Sequence, residues 1–113
     1  DTNEIEFYTD KNEYAGFIQY SIFVDKSNQK FAYIEDIKAV YKQRQKIGTA
    51  MFNYFYSFIE EDECSYIAGE LSSHTNHVAR SFFTSKGCFV HDKLDYIYKD
   101  VSNKSPHKPK WVK

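Results

Sequence analysis

The chain has 113 residues, of which 42% are hydrophobic, enough apolar surface for one compact core and too little chain for two. Its 15 basic and 16 acidic residues leave a formal net charge of -1, so no global field draws it to nucleic acid or to an anionic membrane. No apolar run approaches the ~20 residues that cross a bilayer, the opening residues are too polar for a secretory signal, and two cysteines beside a substantial core read as free thiols, so a cytoplasmic protein is expected.

The first predicted element is a strand over residues 4–9, where Ile5, Phe7 and Thr9 alternate with Glu6 and Tyr8. Asp10 to Glu13 supply turn chemistry before a second strand over 14–24, rich in aromatic and β-branched residues. Residues 25–28 make the next turn, and a third strand covers 30–40, so the chain opens as an antiparallel three-stranded meander. The ten tyrosines and ten phenylalanines read mostly as core; the alternative is an exposed aromatic set around Phe17, Tyr20 and Phe23, lining an acceptor cleft or an interface with a second copy of the chain.

The period then changes. Met51, Phe52, Phe55, Phe58 and Ile59 fall at helical spacing and predict an amphipathic helix over 48–61. A strand over 65–71 follows, then N-cap candidates at 73–76 before a helix carrying Val78, Ala79, Phe82 and Phe83, stopped at Gly87. Residues 89–98 read as a hairpin turning near His91. Residues 1–100 thus form one domain, and the lysine-bearing tail over 101–113 is expected to fray. The order is β-β-β-α-β-α-β-β, a mixed sheet in an α+β fold with a parallel crossover at its centre.

The most informative stretch runs from the third strand into the first helix. There a strand ends, a loop with basic and amide side chains follows, and a helix is expected to begin at Gly48. Such a helix start presents unpaired N–H groups and a partial positive charge that suit a pyrophosphate, with Arg44 and Lys46 adding charge from the side. Neither a Walker loop nor a Gly-x-Gly-x-x-Gly fingerprint is present, and an ordinary β-α connection is the alternative on spacing alone. His74, His77 and His91 with Cys64 and Cys88 lack zinc-ligand spacing, so no metal is expected.

Tyr33-Ile34-Glu35-Asp36-Ile37 followed by Gln43-Arg44-Gln45-Lys46-Ile47-Gly48-Thr49-Ala50 resembles the fourth strand and acetyl-CoA loop of the GCN5-related N-acetyltransferases, whose loop signature is Gln/Arg-x-x-Gly-x-Gly/Ala. Asn76, Ala79, Phe82, Phe83, Gly87 and Phe89 look like that family's later helix. The loop fits in two registers, one starting at Gln45 and one at Gln43 with Lys46 where the family has glycine; Gly48 belongs to both. The family places a first strand and two helices, part of its acceptor pocket, ahead of the position of Glu4.

The resemblance implies a sheet whose central strands splay apart at the acetyl-CoA site. Backbone groups of Ile37, Lys38, Ala39 and Val40 would hold the pantetheine arm, and the amides of Gln43 to Thr49, with Ala50 beyond, would hold the pyrophosphate. Acetyl transfer to an amine needs a base, for which Glu35, Asp36 and Glu70 are the candidates; Glu35 and Asp36, as strand neighbours, are expected on opposite faces. Many relatives protonate the departing thiolate with a tyrosine where this chain has Phe83, leaving Tyr96, Tyr98 or solvent to substitute. Asn76 either bonds the pantetheine arm or caps its helix. The implied function is acetyl transfer from acetyl-CoA to a small-molecule amine or a protein amino group; a catalytically silent acyl-CoA-fold module is the alternative.

Overall fold

The computed structural model describes residues 2–40, 44–71, 77–102 and 110–112. Its elements follow the expected order: β1 (Asn3–Tyr8), β2 (Tyr14–Val24), β3 (Lys30–Ala39), α1 (Arg44–Glu61), β4 (Tyr66–Glu70), α2 (His77–Ser85), β5 (Phe89–Val90) and β6 (Tyr96–Asp100). They build one six-stranded mixed sheet in the order β1-β2-β3-β4-β6-β5. The β3–β4 pair is parallel and all others are antiparallel.

Turn chemistry fixes the meander. Asn12 and Asn28 take the left-handed conformation that asparagine tolerates, and each hairpin is closed by backbone bonds, Thr9 N–H to Glu13 O at 2.8 Å and Asp25 N–H to Gln29 O at 2.9 Å. The helix ends are likewise local. Gly87, at φ 81°, lets the Cys88 N–H reach Phe83 O at 3.0 Å, and Glu63, at φ 63°, lets the Cys64 N–H reach Ile59 O at 3.0 Å.

Both helices lie on one face of the sheet. Met51, Phe52, Phe55 and Ile59 of α1 are buried against Ile18, Ile34 and Ile67, and Phe52 meets Phe82 and Phe83 of α2 edge-on, with ring centroids 6.2 Å apart in each case. Tyr20 follows the core reading of the aromatics: it is 7% exposed and packs edge-on against Phe55, because the residue opposite it on β3 is the core residue Ile34. Phe17 and Phe23 alternate to the other face, and Phe23 is exposed.

Cys64 and Cys88 are free and buried, and burial pushes their thiols up to about 11 and about 12 respectively. Among the described tail residues, the Val101 N–H bonds Ser65 O at 3.0 Å, and Trp111 lies edge-on to His91 and Tyr98. Val101 is buried in the core, and Val112 is buried as well. No helix of the described residues is long and apolar enough to cross a membrane.

Candidate active site

The sheet is divided at its centre. β3 and β4 pair only from Phe31 opposite Tyr66 to Ile34 opposite Gly69. Beyond that point β3 continues on β2, up to Ala39 opposite Gly16, while β4 stays with β6 through Glu70 opposite Tyr96, and the Leu71 N–H bonds Asp95 O at 2.6 Å. The two parallel strands therefore part, and the edge of β3 from Glu35 to Ala39 runs without a β4 partner. Strand alternation aims every other N–H and C=O of that edge into the opening.

The open end of β3 leads into α1. The helix begins at Arg44, four residues before the expected start at Gly48, because glutamine, arginine and lysine are adequate helix formers and need no glycine to turn. Among the described residues the unpaired amides of the first turn are thus those of Arg44 to Lys46. A loop signature starting at Gln45 would lie inside the helix with its later amides already bonded; the register starting at Gln43 straddles the entrance.

Gly48 has a different task from the one expected. It is buried, and a Cβ there would meet Cε1 of Phe82 at 3.0 Å, so its missing side chain lets α2 approach α1. Lys46 is exposed, Ile47 packs against the core, and Thr49 accepts a hydrogen bond from Lys86 Nζ at 2.7 Å. Ala50 is exposed and borders a groove with Tyr54 and Phe7. Phe83 is 2% exposed inside the core, so its ring stays out of the opening. Gln43 and Asn76 lie outside the described residues, as do the side chains of Arg44 and Gln45.

The three carboxylates share one face of the sheet, though not as strand alternation implied. The β2–β3 register shifts between Gln19 opposite Asp36 and Tyr20 opposite Ile34, making Glu35 the extra residue of a bulge. Core-facing alternation stops at Ile34 and resumes at Ile37, so Glu35 and Asp36 both stand exposed on the face away from the helices. Glu70 joins them there, since it lies opposite Tyr96 while Gly69 and Ile97 face the core. The three-residue step from Ile34 to Ile37, where a strand would use two, was the signal for this bulge in the sequence.

Their surroundings separate their roles. Glu35 Oε2 accepts the Thr2 hydroxyl at 2.6 Å and the Ser21 hydroxyl at 3.0 Å, which hold its carboxyl below the usual range and draw it towards β2, away from the opening. A carboxyl with a lowered folded pKa stabilises the fold above its unfolded value and ceases to do so as pH falls through the folded one. Glu35→Gln is therefore expected to lower the urea midpoint at neutral pH, with the gap to wild type closing below the ordinary glutamate value of 4.5. A gap that persists unchanged in acid would assign the loss to geometry instead of charge.

Glu70 and Tyr96 stand on the opposite wall, at the mouth of the opening, and both are exposed. Tyr96 was one substitute for the missing helical tyrosine. Tyr98, the other, is buried with its hydroxyl donating to Asp100 Oδ1 at 2.8 Å, pointing it away from that task. Tyr33 lies between the carboxylates, and its phenol is pushed up by burial and then by Glu70 and Glu35. Among the described residues no group of three or more His, Cys, Asp or Glu is placed to hold a metal ion.

The sequence matches no family model and no curated protein. Solved structures do match. Nourseothricin acetyltransferase superposes with a TM-score of 0.70 at 19% identity, over 89% of this chain and 66% of that one. Tetrahymena GCN5 does so with a TM-score of 0.69 at 12% identity, over 94% and 72%. An acetyltransferase assigned to the GNAT family from Desulfovibrio desulfuricans gives 0.69 at 14% identity, over 88% and 69%. The chain thus spans about two thirds of the length of these proteins, and its strand order is consistent with theirs: it has the fold of the GCN5-related N-acetyltransferases.

Proposed function

We propose that this chain is an acetyl-CoA-dependent N-acetyltransferase acting on an amine of a small molecule or a protein. The observation that carries the reading is the parting of β3 from β4 after Ile34 and Gly69, beside a helix whose free first-turn amides follow directly from the open strand. An exposed strand edge is a ready partner for the amides of a pantetheine arm, and a helix N-terminus for a diphosphate. Acetyl-CoA would supply the activated thioester.

The chain's own groups have three tasks. An N–H of the β3 edge stabilises the charge that develops on the thioester carbonyl oxygen. Glu70 takes the proton that the attacking amine must lose, directly or through a water. Tyr96, which pairs with Glu70 across the strands, returns a proton to the departing thiolate. Asp36 stands on the same face and is the second candidate for the base, while Glu35 is committed to Thr2 and Ser21.

Titration calorimetry with acetyl-CoA is expected to give a dissociation constant between about 1 μM and 1 mM, the range common to enzyme substrates. Thiol release on adding a panel of amines then tests transfer. Absence of heat at millimolar acetyl-CoA would overturn the reading. Binding without thiol release from any amine would favour the second reading, a catalytically silent acyl-CoA-fold module, which the loss of a phenol at Phe83 already supports.

A further inference from the structure

The charges of α1 are set against its own dipole. A helix favours acids in its first turn and bases in its last, and α1 has neither. Its first turn carries Lys46 instead, and its last turn Glu60 and Glu61, with Asp62 and Glu63 directly after. Two of these acids have partners within the chain: Asp62 pairs with Lys30 at 3.0 Å, and Glu60 accepts the Ser102 hydroxyl. Lys46 and Glu61 are exposed, and neither holds a hydrogen bond or an ion pair among the described residues.

Those two residues end a continuous exposed row along the helix: Lys46, Ala50, Asn53, Tyr54, Ser57 and Glu61. The row lies opposite Met51, Phe52, Phe55 and Ile59, which face the sheet. Its positions are symmetric about the midpoint between Asn53 and Tyr54. A second α1 laid antiparallel on it, through a two-fold axis at that point, sets Lys46 of each copy against Glu61 of the other, Ala50 against Ser57, and Asn53 against Tyr54. Both ends of the row gain an opposite charge, the small side chains between them allow close approach, and the Tyr54 hydroxyl meets an amide that can bond it. The two macrodipoles run in opposite directions as well, so each acidic helix end lies beside the positive pole of its neighbour. A parallel arrangement would oppose Lys46 to Lys46 and Glu61 to Glu61.

Apolar surface accompanies the row. Tyr54 is 55% exposed, and Phe58, stacked on it at 6.4 Å, is 38% exposed. Both rings are held from within the chain, Tyr54 by Phe7 at 5.7 Å and Phe58 by Tyr20 at 6.0 Å, so little freedom is lost when a surface docks on them. From Lys46 to Glu61 the row is about 22 Å long. A contact of that length covers roughly 500 Å² per copy, below the ~800 Å² of a standard interface, which fits a weak and reversible dimer.

We infer that the chain self-associates as a two-fold dimer through α1, the two helices packed antiparallel with Lys46 of each copy paired to Glu61 of the other. The inference goes beyond the transferase reading and does not depend on it.

Sedimentation equilibrium of the wild-type chain at about 50 mM salt is expected to show a monomer–dimer equilibrium with a dissociation constant between roughly 10 and 500 μM, severalfold weaker at about 500 mM salt. Lys46→Glu and Glu61→Lys should each weaken self-association about tenfold or more, because each sets two pairs of like charges across the axis. Mixed in equal amounts, the two variants should form a heterodimer of near wild-type affinity, since every facing pair is then opposite in sign. The chain carrying both substitutions should recover in the same way. Should a single variant unfold, the concentration and salt series on the wild type decide the matter. A wild-type chain that stays monomeric at about 1 mM overturns the inference. So do self-association that salt leaves unchanged, single substitutions that leave it at wild-type strength, or a mixture that fails to restore it.

Discussion

Gly16→Ala is expected to destabilise the protein by about 3 kcal/mol or more, among the largest effects any single methyl group can have here. Gly16 has φ of +156°, which L side chains rarely adopt, and a Cβ on it would sit 2.2 Å from Lys38 O, with Ala39 Cα and Met51 Sδ each at 3.0 Å. The first of these contacts is backbone, so relief requires β2 and β3 to move apart where Ala39 pairs with Gly16 and the Val40 N–H bonds Ala15 O at 2.8 Å. For a domain of this size the loss corresponds to a fall in Tm of roughly 10 °C or more. The same strand end borders the proposed co-substrate opening, so affinity for acetyl-CoA should drop as well.

Gly48→Ala is the matching control. Its Cβ meets a ring edge of Phe82 at 3.0 Å, not backbone, and alanine gains helix propensity of up to about 1 kcal/mol over glycine, so the net change should be small. An unaltered urea midpoint for Gly16→Ala would show that the β2–β3 pairing at Ala39 has slack that the backbone distances do not reveal.

Glu70→Gln is expected to lower turnover of the amine by about 10²- to 10⁴-fold while leaving the affinity for acetyl-CoA unchanged. Glutamine keeps the size and hydrogen bonding of the side chain and loses only its basicity. Glu70 ends β4 on the face away from the helices, beside Tyr96 and across the opening from Asp36. Glu35→Gln should leave turnover within a few-fold of wild type, since two hydroxyls already hold that carboxylate on the β2 side. The acid limb of the pH–rate profile should disappear with Glu70 and survive in Glu35→Gln. Full turnover in Glu70→Gln, with loss in Asp36→Asn, would move the base to β3.

Much of this arrangement could be read from local patterns. Alternation in β1 and β2, the shift to helical spacing after Ala50, the asparagine turns and the stop at Gly87 are each decided by residues within a few positions of one another. The expected start of α1 failed because a glycine was taken as an entrance when it serves as the contact point for Phe82, a neighbour 34 positions away in the chain. The placement of Glu35 and Asp36 failed for a related reason: regular alternation was assumed through a bulge that the Ile34-to-Ile37 step already announced.

From the sequence by itself came the number, type and order of elements and the three carboxylates, because backbone periodicity and turn preference act over short range. Only the tertiary structure decided that β4 takes β6 as its other neighbour, that the strands part after Ile34 and Gly69, that the three carboxylates share one face, and that an aromatic groove lined by Tyr33 and Tyr96 lies beside the opening. Those outcomes depend on which strands pair and where a bulge resets their phase, and pairing is a contest among distant segments that no local pattern encodes.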